Sequence, residues 1–450
     1  MKETIVALST PPGISGIAVI RLSGEDAVTI ADKCFFGKFR IREVKTHTIH
    51  LGVFKRADKI IDTVMASVFI TPHSYTGEDI IEFSCHGGML IAGEIINTLI
   101  ENGARIAEPG EFTRRAFLNG KMDLTQAEAV ADIIHSTSLP GGLTAVRQLV
   151  GEFTSRLKNF RSQLLDICSL IELELDFSDE DIEFVDKHNI QKQIREAIDY
   201  CLDLSDSYKS AEILRSGFFV AISGFPNSGK STLFNKLLQR NRAIVSPIPG
   251  TTRDYLEESL FLNGIMVKLV DTAGLRPTEE SIEIEGIRFT ESMLEQANMN
   301  LILNDISIDK NHSNQLFEQI KIKFPATKTI LIQNKIDKIG LDDVSMDVNM
   351  LYLAAKKGIG IDLLKDLIAC EAAKNSERLN DVLINQRHSV LLKSAADNLG
   401  SALESLNKNM SNEIIAIDLR SALKCLGEIT GESWSEEVLN NIFSRFCIGK

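Results

Sequence analysis

The segment from Gly224 to Ser231 constrains the fold of this chain more than any other, because it has the form Gly-x-x-x-x-Gly-Lys-Ser. An apolar, β-type run at 218–223 precedes it, and a helical pattern opens at Thr232. In that context the glycines let backbone N–H groups wrap phosphate oxygens, Lys230 supplies positive charge at the β- and γ-phosphates, and the hydroxyl of Ser231 suits Mg²⁺. The segment therefore predicts a strand, loop and helix that bind a nucleotide.

Three further motifs follow in the order expected of a guanine-nucleotide domain. They are the switch-type loop Gly250-Thr251-Thr252-Arg253-Asp254, then Asp271-Thr272-Ala273-Gly274 after the apolar run 265–270, then Asn334-Lys335-Ile336-Asp337 after 329–333. Asp271 can hold the Mg²⁺ shell, the N–H of Gly274 can meet the γ-phosphate, and one switch threonine can complete the shell while a γ-phosphate is present. The carboxylate of Asp337 can accept two hydrogen bonds from guanine, a match that adenine lacks. The motifs therefore predict GTP as the nucleotide.

The last guanine-binding element is the weakest. Leu353-Ala354-Ala355-Lys356 stands where guanine-binding proteins usually have Ser-Ala-Lys. Because Ala354 lacks the hydroxyl, we expect the backbone of this segment to contact the base.

The catalytic water needs an unusual partner, because Leu275 follows Gly274 where Ras-like switches have glutamine. An apolar side chain cannot orient water. The amide oxygen of Asn227 lies near the β-phosphate and, with carbonyl groups of the switch loop, can coordinate a monovalent cation such as K⁺. Such an ion would place its charge where an arginine finger does. The carbonyl groups belong to Ser246, Ile248 and Thr251.

Glu283 is the candidate for orienting the attacking water. The competing interpretation is that it is one of several exposed acids in the same stretch, with Glu279, Glu280 and Glu285. Arg253 and Arg276 are alternatives that could act as arginine fingers.

Periodicity divides the rest of the chain. Helical spacing at 144–177 and 190–213 predicts long helices joined by the acidic turn 178–183, and it returns at 379–406 and 412–426. The β-type runs at 218–223, 265–270, 300–304 and 328–333 are separated by helix-length segments, which predicts a doubly wound, mostly parallel sheet. Near the N-terminus, β-type runs at 16–22 and 64–71 with a helix at 89–102 predict a separate α/β module.

The simplest organisation is a helical domain made of two stretches, with the nucleotide domain inserted between them. The predicted segments are an N-terminal domain at 1–118, the first helical part at 119–215, the GTPase domain at 216–375 and the second helical part at 376–450.

Composition narrows the function classes. A net charge of −13 over 450 residues argues against bulk electrostatic binding of nucleic acid. No apolar run approaches the ~20 residues that span a bilayer, and the N-terminus has no signal-peptide pattern, so we expect a cytoplasmic protein. The seven cysteines form no Cys-x-x-Cys pair, which disfavours a disulfide framework and a structural zinc site.

Blocks outside the nucleotide motifs carry a family resemblance. They are Thr10-Pro11-Pro12-Gly13, Arg21-Leu22-Ser23-Gly24, Ser74-Tyr75-Thr76-Gly77-Glu78-Asp79, Cys85-His86-Gly87-Gly88, Pro109-Gly110-Glu111-Phe112-Thr113-Arg114-Arg115-Ala116-Phe117-Leu118-Asn119-Gly120-Lys121 and Phe446-Cys447-Ile448-Gly449-Lys450. Together they closely resemble the MnmE (TrmE) family of tRNA modification GTPases, essentially end to end. Era-like ribosome-assembly GTPases share the phosphate loop but neither the N-terminal blocks nor the C-terminal Cys-x-Gly-Lys.

The resemblance implies a homodimer with an N-terminal domain similar to tetrahydrofolate-binding folds, a discontinuous helical domain and an inserted Ras-like GTPase domain. It implies a K⁺-dependent GTPase that works with a second, FAD-dependent protein, MnmG, in a heterotetrameric complex. The implied reaction installs an aminomethyl or carboxymethylaminomethyl group on C5 of the wobble uridine, position 34, in certain tRNAs. The one-carbon unit would come from 5-formyltetrahydrofolate or methylenetetrahydrofolate, and MnmG would contribute much of the grip on tRNA.

Site residues follow from the resemblance position by position. Asn227, Ser246, Ile248 and Thr251 fall at the K⁺ positions, Ser231 and Thr252 at the Mg²⁺ positions, Glu283 at the water-orienting position, and Arg21, Glu82, Lys121 and Lys450 at the folate positions. The full GTP-binding set is Asn227, Ser228, Gly229, Lys230, Ser231, Thr232, Ser246, Pro247, Ile248, Pro249, Gly250, Thr251, Thr252, Asp271, Thr272, Ala273, Gly274, Asn334, Lys335, Asp337, Ala354, Ala355 and Lys356. From the residues alone, without the resemblance, we would interpret Glu82 as a surface residue of a strand.

The roles of one cysteine, Cys447, and one histidine, His86, are open to two interpretations each. Phe446 and Ile448 flank Cys447 with groups that favour burial, so we expect the C-terminal tail to dock. Cys447 is then either a catalytic nucleophile or acid, or a buried structural cysteine. For His86 the interpretation is a turn-shaping residue rather than an acid or base.

Two rival functions remain at this stage. One is an Era-like ribosome-assembly GTPase, and the other is a folate-binding or scaffold protein whose GTPase domain acts as a slow switch.

Overall fold

The computed structural model describes residues 3–176, 187–238, 256–271, 292–308, 311–325, 327–340, 346–347, 350–376 and 382–450. The chain forms two compact units. One consists of Met1–Ala131, Arg147–Asp199 and Leu391–Lys450, and the other of Asp132–Val146 and Tyr200–Val390. The four predicted domain segments are not tested by this division and remain a prediction.

A seven-stranded sheet forms the N-terminal part of the first unit. Its strands are β1 (Ile5–Leu8), β2 (Ile17–Ser23), β3 (Phe35–Gly37), β4 (Thr48–Arg56), β5 (Lys59–Phe69), β6 (Ile80–His86) and β7 (Arg105–Ile106). They lie in the order β3-β4-β5-β6-β2-β1-β7. Neighbours are antiparallel except β1 and β7, which are parallel.

Alternating residues give this sheet two different faces. On β6, Ile81 and Phe83 are fully buried, whereas Glu82 between them points to the opposite face. Helices α1 (Ala27–Cys34) and α2 (Met89–Glu101) cover the apolar face, and their buried residues join one core with the strands. A third helix, α3 (Glu111–Leu118), follows β7.

Five helices come next, and they break at two places where the periodicity predicts continuous helices. They are α4 (Leu124–His135), α5 (Leu139–Leu149), α6 (Glu152–Asp176), α7 (Lys187–Asp206) and α8 (Tyr208–Ser216). Gly151 separates α5 from α6 and has a φ of +91°, a left-handed conformation that no helix continues. Ser207 separates α7 from α8, and its hydroxyl donates to the carbonyl of Leu204 at 2.7 Å. The predicted acidic turn 178–183 lies outside the described residues.

The second unit contains another seven-stranded sheet. Its strands are β8 (Phe218–Gly224), β9 (Leu256–Leu262), β10 (Ile265–Asp271), β11 (Met299–Asp305), β12 (Lys328–Asn334), β13 (Met346–Asp347) and β14 (Met350–Leu353), in the order β13-β14-β12-β11-β8-β10-β9. The five central strands are parallel, and the edge strands β9 and β13 are antiparallel to their neighbours. The predicted doubly wound, mostly parallel sheet is confirmed.

Helices cover both faces of this sheet. They are α9 (Lys230–Leu238), α10 (Asn311–Lys323) and α11 (Ile361–Ser376). Leu233 of α9 and Leu364 of α11 belong to the core on one face, and Phe317 of α10 belongs to the core on the other. Because the central strands are parallel, their carboxyl ends meet at one edge, where such sheets bind ligands.

The chain ends in three helices, α12 (Gln386–Asn407), α13 (Asn412–Thr430) and α14 (Glu436–Phe443). Helix α13 packs along α6, where Arg420 donates to Glu172 at 2.8 Å. Helix α14 shares a buried cluster with Phe117 and Leu124. In the part of the chain that the structure describes, no helix is long and apolar enough to span a bilayer.

Candidate functional site

The phosphate loop begins where β8 ends, and two of its glycines leave no room for a side chain. At Gly224 a Cβ would lie 2.2 Å from the carbonyl oxygen of Leu303, and at Gly229 it would lie 2.4 Å from Nδ2 of Asn334. Their φ angles are +139° and +100°, which L-residues rarely adopt. Only glycine at these positions lets the loop close against β11 and the Asn334 side chain.

Lys230 is the first residue of α9, and its side chain folds back into the loop. Its Nζ donates to the carbonyl oxygens of Gly224 at 2.7 Å and Phe225 at 2.9 Å. Burial lowers the pKa of Lys230, while the nearby Asp271 partly opposes that shift. The amine is therefore positioned at the centre of the loop, where phosphate oxygens of a nucleotide would bind.

Ser231 on helix α9 and Asp271 at the end of strand β10 bring a hydroxyl and a carboxylate together. Ser231 Oγ lies 3.4 Å from Oδ2 of Asp271, which is buried at the carboxyl end of β10. These oxygen donors fit Mg²⁺. Among the described residues, the buried hydroxyl of Ser228 has no hydrogen-bond partner, which fits a loop that receives further polar contacts from a ligand.

Asn334 connects the phosphate loop to the guanine-binding segments. Its Nδ2 donates to the carbonyl oxygen of Ser228 at 2.8 Å. Its Oδ1 accepts from the backbone N–H groups of Lys335 at 2.8 Å and Ala355 at 3.0 Å. One amide side chain therefore fixes three segments relative to one another.

Lys335 makes a second connection, through a residue that the sequence reasoning missed. Its Nζ donates to the carbonyl oxygen of Asn227 at 2.7 Å and to Oδ2 of Asp305 at 2.5 Å. Burial alone would raise the pKa of Asp305, but hydrogen bonds from Lys335 and Ser307 outweigh it and lower that pKa. Asp305 is the last residue of β11, and an acid at the carboxyl end of a central strand was the available signal.

The guanine-contacting residues lie beside this connection. Asp337 lies on the 3-10 turn Ile336–Lys338, and its carboxylate is 3.8 Å from the amine of Lys357. Ala354 and Ala355 are buried, and the backbone N–H of Ala355 is already engaged with Asn334. The side chain of Lys356 is exposed.

Many predicted nucleotide-site residues fall outside the described residues. They are Ser246, Pro247, Ile248, Pro249, Gly250, Thr251, Thr252, Thr272, Ala273, Gly274 and Glu283, with the alternatives Arg253 and Arg276. Within the described part, Asn227 is exposed with a φ of +61°, and Thr232 is exposed on α9.

A second charged cluster lies on the N-terminal sheet, in the other unit. Arg21 on β2 and Glu82 on β6 are directly opposite in the strand register, and Nε of Arg21 donates to Glu82 at 2.7 Å. The Arg21 guanidinium also lies over the rings of Tyr75 at 5.4 Å and Phe112 at 5.6 Å. The guanidinium of this ion pair therefore contacts two aromatic rings.

Two further predicted folate residues lie near this sheet through neighbouring segments. Lys121 Nζ donates to the carbonyl oxygen of Pro72 at 2.8 Å. Lys450 ends the tail, whose Gly449 carbonyl accepts from Ser9 Oγ at 3.2 Å. A Cβ on Gly449 would lie 2.3 Å from the carbonyl oxygen of Leu8, so the tail lies directly against the end of β1.

The predicted docking of the tail is confirmed, with one correction. Phe446 is buried in a cluster with Phe443, whereas Ile448, which we expected to be buried, is 54% exposed. Gly449 makes the second docking contact instead, because it alone can approach β1 so closely. Cys447 is exposed, so its interpretation as a buried structural cysteine is wrong.

His86 supports the turn-shaping interpretation. Asp62 accepts from its backbone N–H and contacts its Nδ1, both at 2.8 Å, and the imidazole is 76% exposed. The carboxylate of Asp62 thus ties the end of β6 to β5.

A phosphate loop after β8, an aspartate at the end of β10 and an Asn-Lys-x-Asp segment after β12, all at one edge of a doubly wound sheet, define a P-loop GTPase. Residues 124–447, a range that includes this domain, match the family model described as the MnmE helical domain, and residues 4–121 match that of the GTP-binding protein TrmE N-terminus. The chain belongs to the MnmE family of tRNA modification GTPases.

Full-length relatives agree with the family models. The tRNA modification GTPase MnmE of Chlorobaculum tepidum is 41% identical over 461 residues, covering 99% of this chain and 97% of its own. That of Christiangramia forsetii is 41% identical over 472 residues, covering the whole of both chains. Among solved structures, a variant of Aquifex aeolicus Era bound to GDP and AlF₄⁻ is 28% identical, with a TM-score of 0.28 over 34% of this chain and 56% of its own. Membership of the MnmE family favours tRNA modification over the Era-like alternative.

Proposed function

We propose that this chain is a K⁺-dependent GTPase that acts with the FAD-dependent protein MnmG on tRNA. Together they install an aminomethyl or carboxymethylaminomethyl group on C5 of wobble uridine 34. The observation that carries this proposal is the docked C-terminal tail, which places Gly449 against β1 of the sheet that holds the Arg21–Glu82 pair. A simple GTP switch needs neither this charged pair nor a docked tail that carries an exposed thiol, so both features support chemistry beyond GTP hydrolysis.

In GTP hydrolysis, water attacks the γ-phosphorus and the bond to the oxygen that bridges to the β-phosphate breaks. Lys230 and the backbone N–H groups of the loop stabilise negative charge that develops on the phosphate oxygens. Ser231 and Asp271, 3.4 Å apart, would hold Mg²⁺ directly or through water, with Thr252 as a second proposed ligand. When bound, Mg²⁺ neutralises charge on the β- and γ-phosphates.

K⁺ dependence is proposed because Leu275 replaces the water-orienting glutamine. The geometry of Asn227 supports this proposal. Lys335 donates to its backbone carbonyl at 2.7 Å and its φ is +61°, so the backbone is held in place while the side chain remains exposed to bind a cation. The other proposed ligands are Ser246, Ile248 and Thr251, and Glu283 is proposed to orient water. When bound, K⁺ supplies the positive charge that an arginine finger provides in other GTPases.

A tetrahydrofolate site is proposed at Arg21, Glu82, Lys121 and Lys450. The residues fit, because the carboxylate of Glu82 can accept from pterin N–H groups while the cations suit glutamyl carboxylates or polar ring groups. When bound, 5-formyl- or methylenetetrahydrofolate supplies the one-carbon unit. Cys447 is proposed to act nearby as a nucleophile or acid, since its thiol is exposed and the tail that carries it is docked.

The proposed partners are a second copy of the chain, MnmG and tRNA, in the cytoplasm. The outward face of the N-terminal sheet supports the homodimer, because four large apolar side chains remain exposed there in a single chain. They are Phe36, Ile49, Leu51 and Met65, with exposed fractions of 44–68%. The net charge of −13 supports a division of labour in which MnmG supplies much of the contact with tRNA.

Two measurements test the proposed function together. We expect GTP hydrolysis to fall about tenfold or more when Na⁺ replaces K⁺, a loss of about 1.4 kcal/mol of transition-state stabilisation. Asn227→Ala and Asn227→Gly should both lose this K⁺ stimulation and keep GDP binding. The glycine variant is the control for backbone strain, because glycine adopts positive φ freely. Equal hydrolysis in the two salts would exclude the K⁺ mechanism.

Mass analysis of tRNA nucleosides tests the modification itself. Cells lacking this gene should lose the modified wobble uridine, and the wild-type gene should restore it. Cys447→Ser should fail to restore it while the purified variant hydrolyses GTP normally. Normal wobble uridines in the deletion strain would overturn the proposed function.

A further inference from the structure

A network of buried charges lies beneath the proposed folate cluster. The side chain of Arg115 on α3 is only 7% exposed and donates in three directions. Its acceptors are Oε2 of Glu78 at 3.0 Å, Oε1 of Glu111 at 2.8 Å and the carbonyl oxygen of Glu3 at 2.8 Å. One guanidinium therefore donates hydrogen bonds to two carboxylates and to a backbone carbonyl at the start of the N-terminal sheet.

Glu78 connects this network to the strand that carries Arg21. It lies in the loop 71–79 between β5 and β6, and its Oε2 also accepts from the hydroxyl of Ser23 at 3.0 Å. Ser23 is two residues beyond Arg21 on β2, so the two side chains share a face of the strand. Thr76 of the same loop contacts Ser23 Oγ at 2.9 Å.

The loop 71–79 contacts two members of the proposed folate cluster directly. The ring of Tyr75 lies 5.4 Å from the Arg21 guanidinium, and the carbonyl of Pro72 accepts from Lys121. A Cβ on Gly77 would lie 3.3 Å from the Lys121 side chain, so the backbone there is in close packing with it. The loop therefore sets the distance between Arg21 and Lys121.

Helix α3 holds the loop 71–79 through two side-chain contacts. The hydroxyl of Tyr75 contacts that of Thr113 at 2.9 Å, next to the Arg115–Glu78 ion pair. Because Glu78 and Arg115 are 11% and 7% exposed, removing either partner leaves a charge with little water to solvate it. A lysine cannot replace Arg115, since a single ammonium lacks the planar fork that reaches two carboxylates at once.

We propose that Arg115 and Glu78 are positioning residues that hold the loop 71–79 in the geometry that binds tetrahydrofolate. This inference rests on the proposed folate site and adds to it. Neither residue needs to touch the folate, since Glu78 acts through the loop and Arg115 acts through Glu78. Loss of the pair would leave Arg21 and Glu82 paired on their strands and would let the loop, with the Lys121 side chain that it contacts, move relative to them.

The test measures binding of 5-formyltetrahydrofolate to the full-length protein by calorimetry, with Arg115→Lys and Glu78→Gln as variants. We expect about tenfold weaker binding for each, as for a site that is in its binding-competent conformation about one-tenth of the time. Arg105→Lys is the matched control. Arg105 also donates to Glu111 and Glu3, as Arg115 does, but its remaining hydrogen bond goes to the carbonyl of Ile106 and not to Glu78. This variant should keep wild-type affinity.

Folding is checked separately by circular dichroism and by the fluorescence of Trp434, the single tryptophan. If Arg115→Lys fails to fold, Glu78→Gln alone decides. Wild-type affinity in a folded Glu78→Gln protein, or an equal loss in Arg105→Lys, would overturn the inference. If the wild-type protein does not bind the folate, or Arg21→Ala binds it as well as wild type, the folate site itself fails and the positioning role falls with it.

Discussion

Asp305 and Asn227 hold the same ammonium group from two sides. Lys335 donates to the carboxylate of Asp305 at 2.5 Å and to the carbonyl of Asn227 at 2.7 Å. The Asp305 carboxylate also accepts from Ser307, and its side chain is only 6% exposed. A buried anion at the end of β11 thus helps to fix both the phosphate loop and the guanine-binding segment.

Replacing Asp305 by asparagine should weaken nucleotide binding. The change removes a charge-assisted hydrogen bond to Lys335, which is worth about 1.5–3 kcal/mol, so we expect GDP to bind about tenfold or more weakly. Titration with a fluorescent GDP analogue measures this loss. Asp366→Asn is the matched control, because Asp366 is exposed on α11 of the same domain. Unchanged GDP affinity in Asp305→Asn would show that Lys335 does not depend on this carboxylate.

Glu111 gives the N-terminal unit an acid-sensitive contribution to stability. Burial alone would raise the pKa of Glu111, but hydrogen bonds from Arg105, the N–H of Glu108 and Arg115 outweigh it and lower the pKa to about 2. The unfolded value is near 4.5. Since the folded pKa is depressed, the stabilisation is present above about pH 4.5 and is lost as pH falls toward 2.

Glu111→Gln should therefore destabilise this unit at neutral pH by about 3 kcal/mol. The difference from wild type should shrink as pH falls from about 5 to 2, because protonation removes the same charge in the wild-type protein. Urea unfolding followed by the fluorescence of Trp434, which packs on Phe117 with ring centres 6.1 Å apart, measures it. A difference that stays constant over this pH range would contradict the assignment.

The C-terminal tail is held at two points. Phe446 packs with Phe443, ring centres 5.5 Å apart, and Gly449 meets the end of β1. Cys447 and Ile448 lie between these points and are exposed. The tail can therefore present a thiol to solvent while both of its neighbouring segments remain fixed.

Phe446→Ala should release the tail, because truncating a buried phenylalanine costs about 3–5 kcal/mol. We expect faster hydrogen exchange across residues 444–450 and reduced formation of the modified wobble uridine. Ile448→Ala is the control, since its side chain is 54% exposed and should change little. Equal exchange in Phe446→Ala and wild type would mean that Gly449 alone holds the tail.

The proposed homodimer uses the outward face of the N-terminal sheet, which lies opposite the face covered by α1 and α2. Leu51 is 68% exposed there and lies opposite Met65 in the strand register. A contiguous exposed patch of this kind is unusual in a monomer. A charge placed in its centre would have to be buried in a dimer that uses this face.

Leu51→Asp should therefore shift the protein from dimer toward monomer in sedimentation experiments, by several kcal/mol if the carboxylate is buried unpaired. Leu90→Asp is the matched control, because Leu90 is 86% exposed on α2, which covers the opposite face of the sheet. A fully dimeric Leu51→Asp protein would place the dimer interface elsewhere.

Much of the nucleotide domain could be predicted from the sequence because its signals are local. The glycine-rich loop, the acid after an apolar strand and the Asn-Lys-x-Asp segment each occupy a few consecutive residues, and parallel strands bring their ends to one edge. Asp305 was missed because its role depends on Lys335, which is 30 residues away. The helix breaks at Gly151 and Ser207 were missed because the apolar periodicity continues on both sides of each break, and only one residue interrupts the helix there.

The GTPase class, the doubly wound sheet and the family could all be predicted from the amino-acid sequence, because each depends on short motifs or local periodicity. The folded chain was needed to show that Gly449 makes the second docking contact of the tail, that Cys447 is exposed, and that Arg115 links Glu78 to Glu111. These outcomes depend on contacts between residues as far as 440 positions apart, as for Ser9 and Gly449. The burial and pairing that fix such contacts exist only when the chain is folded.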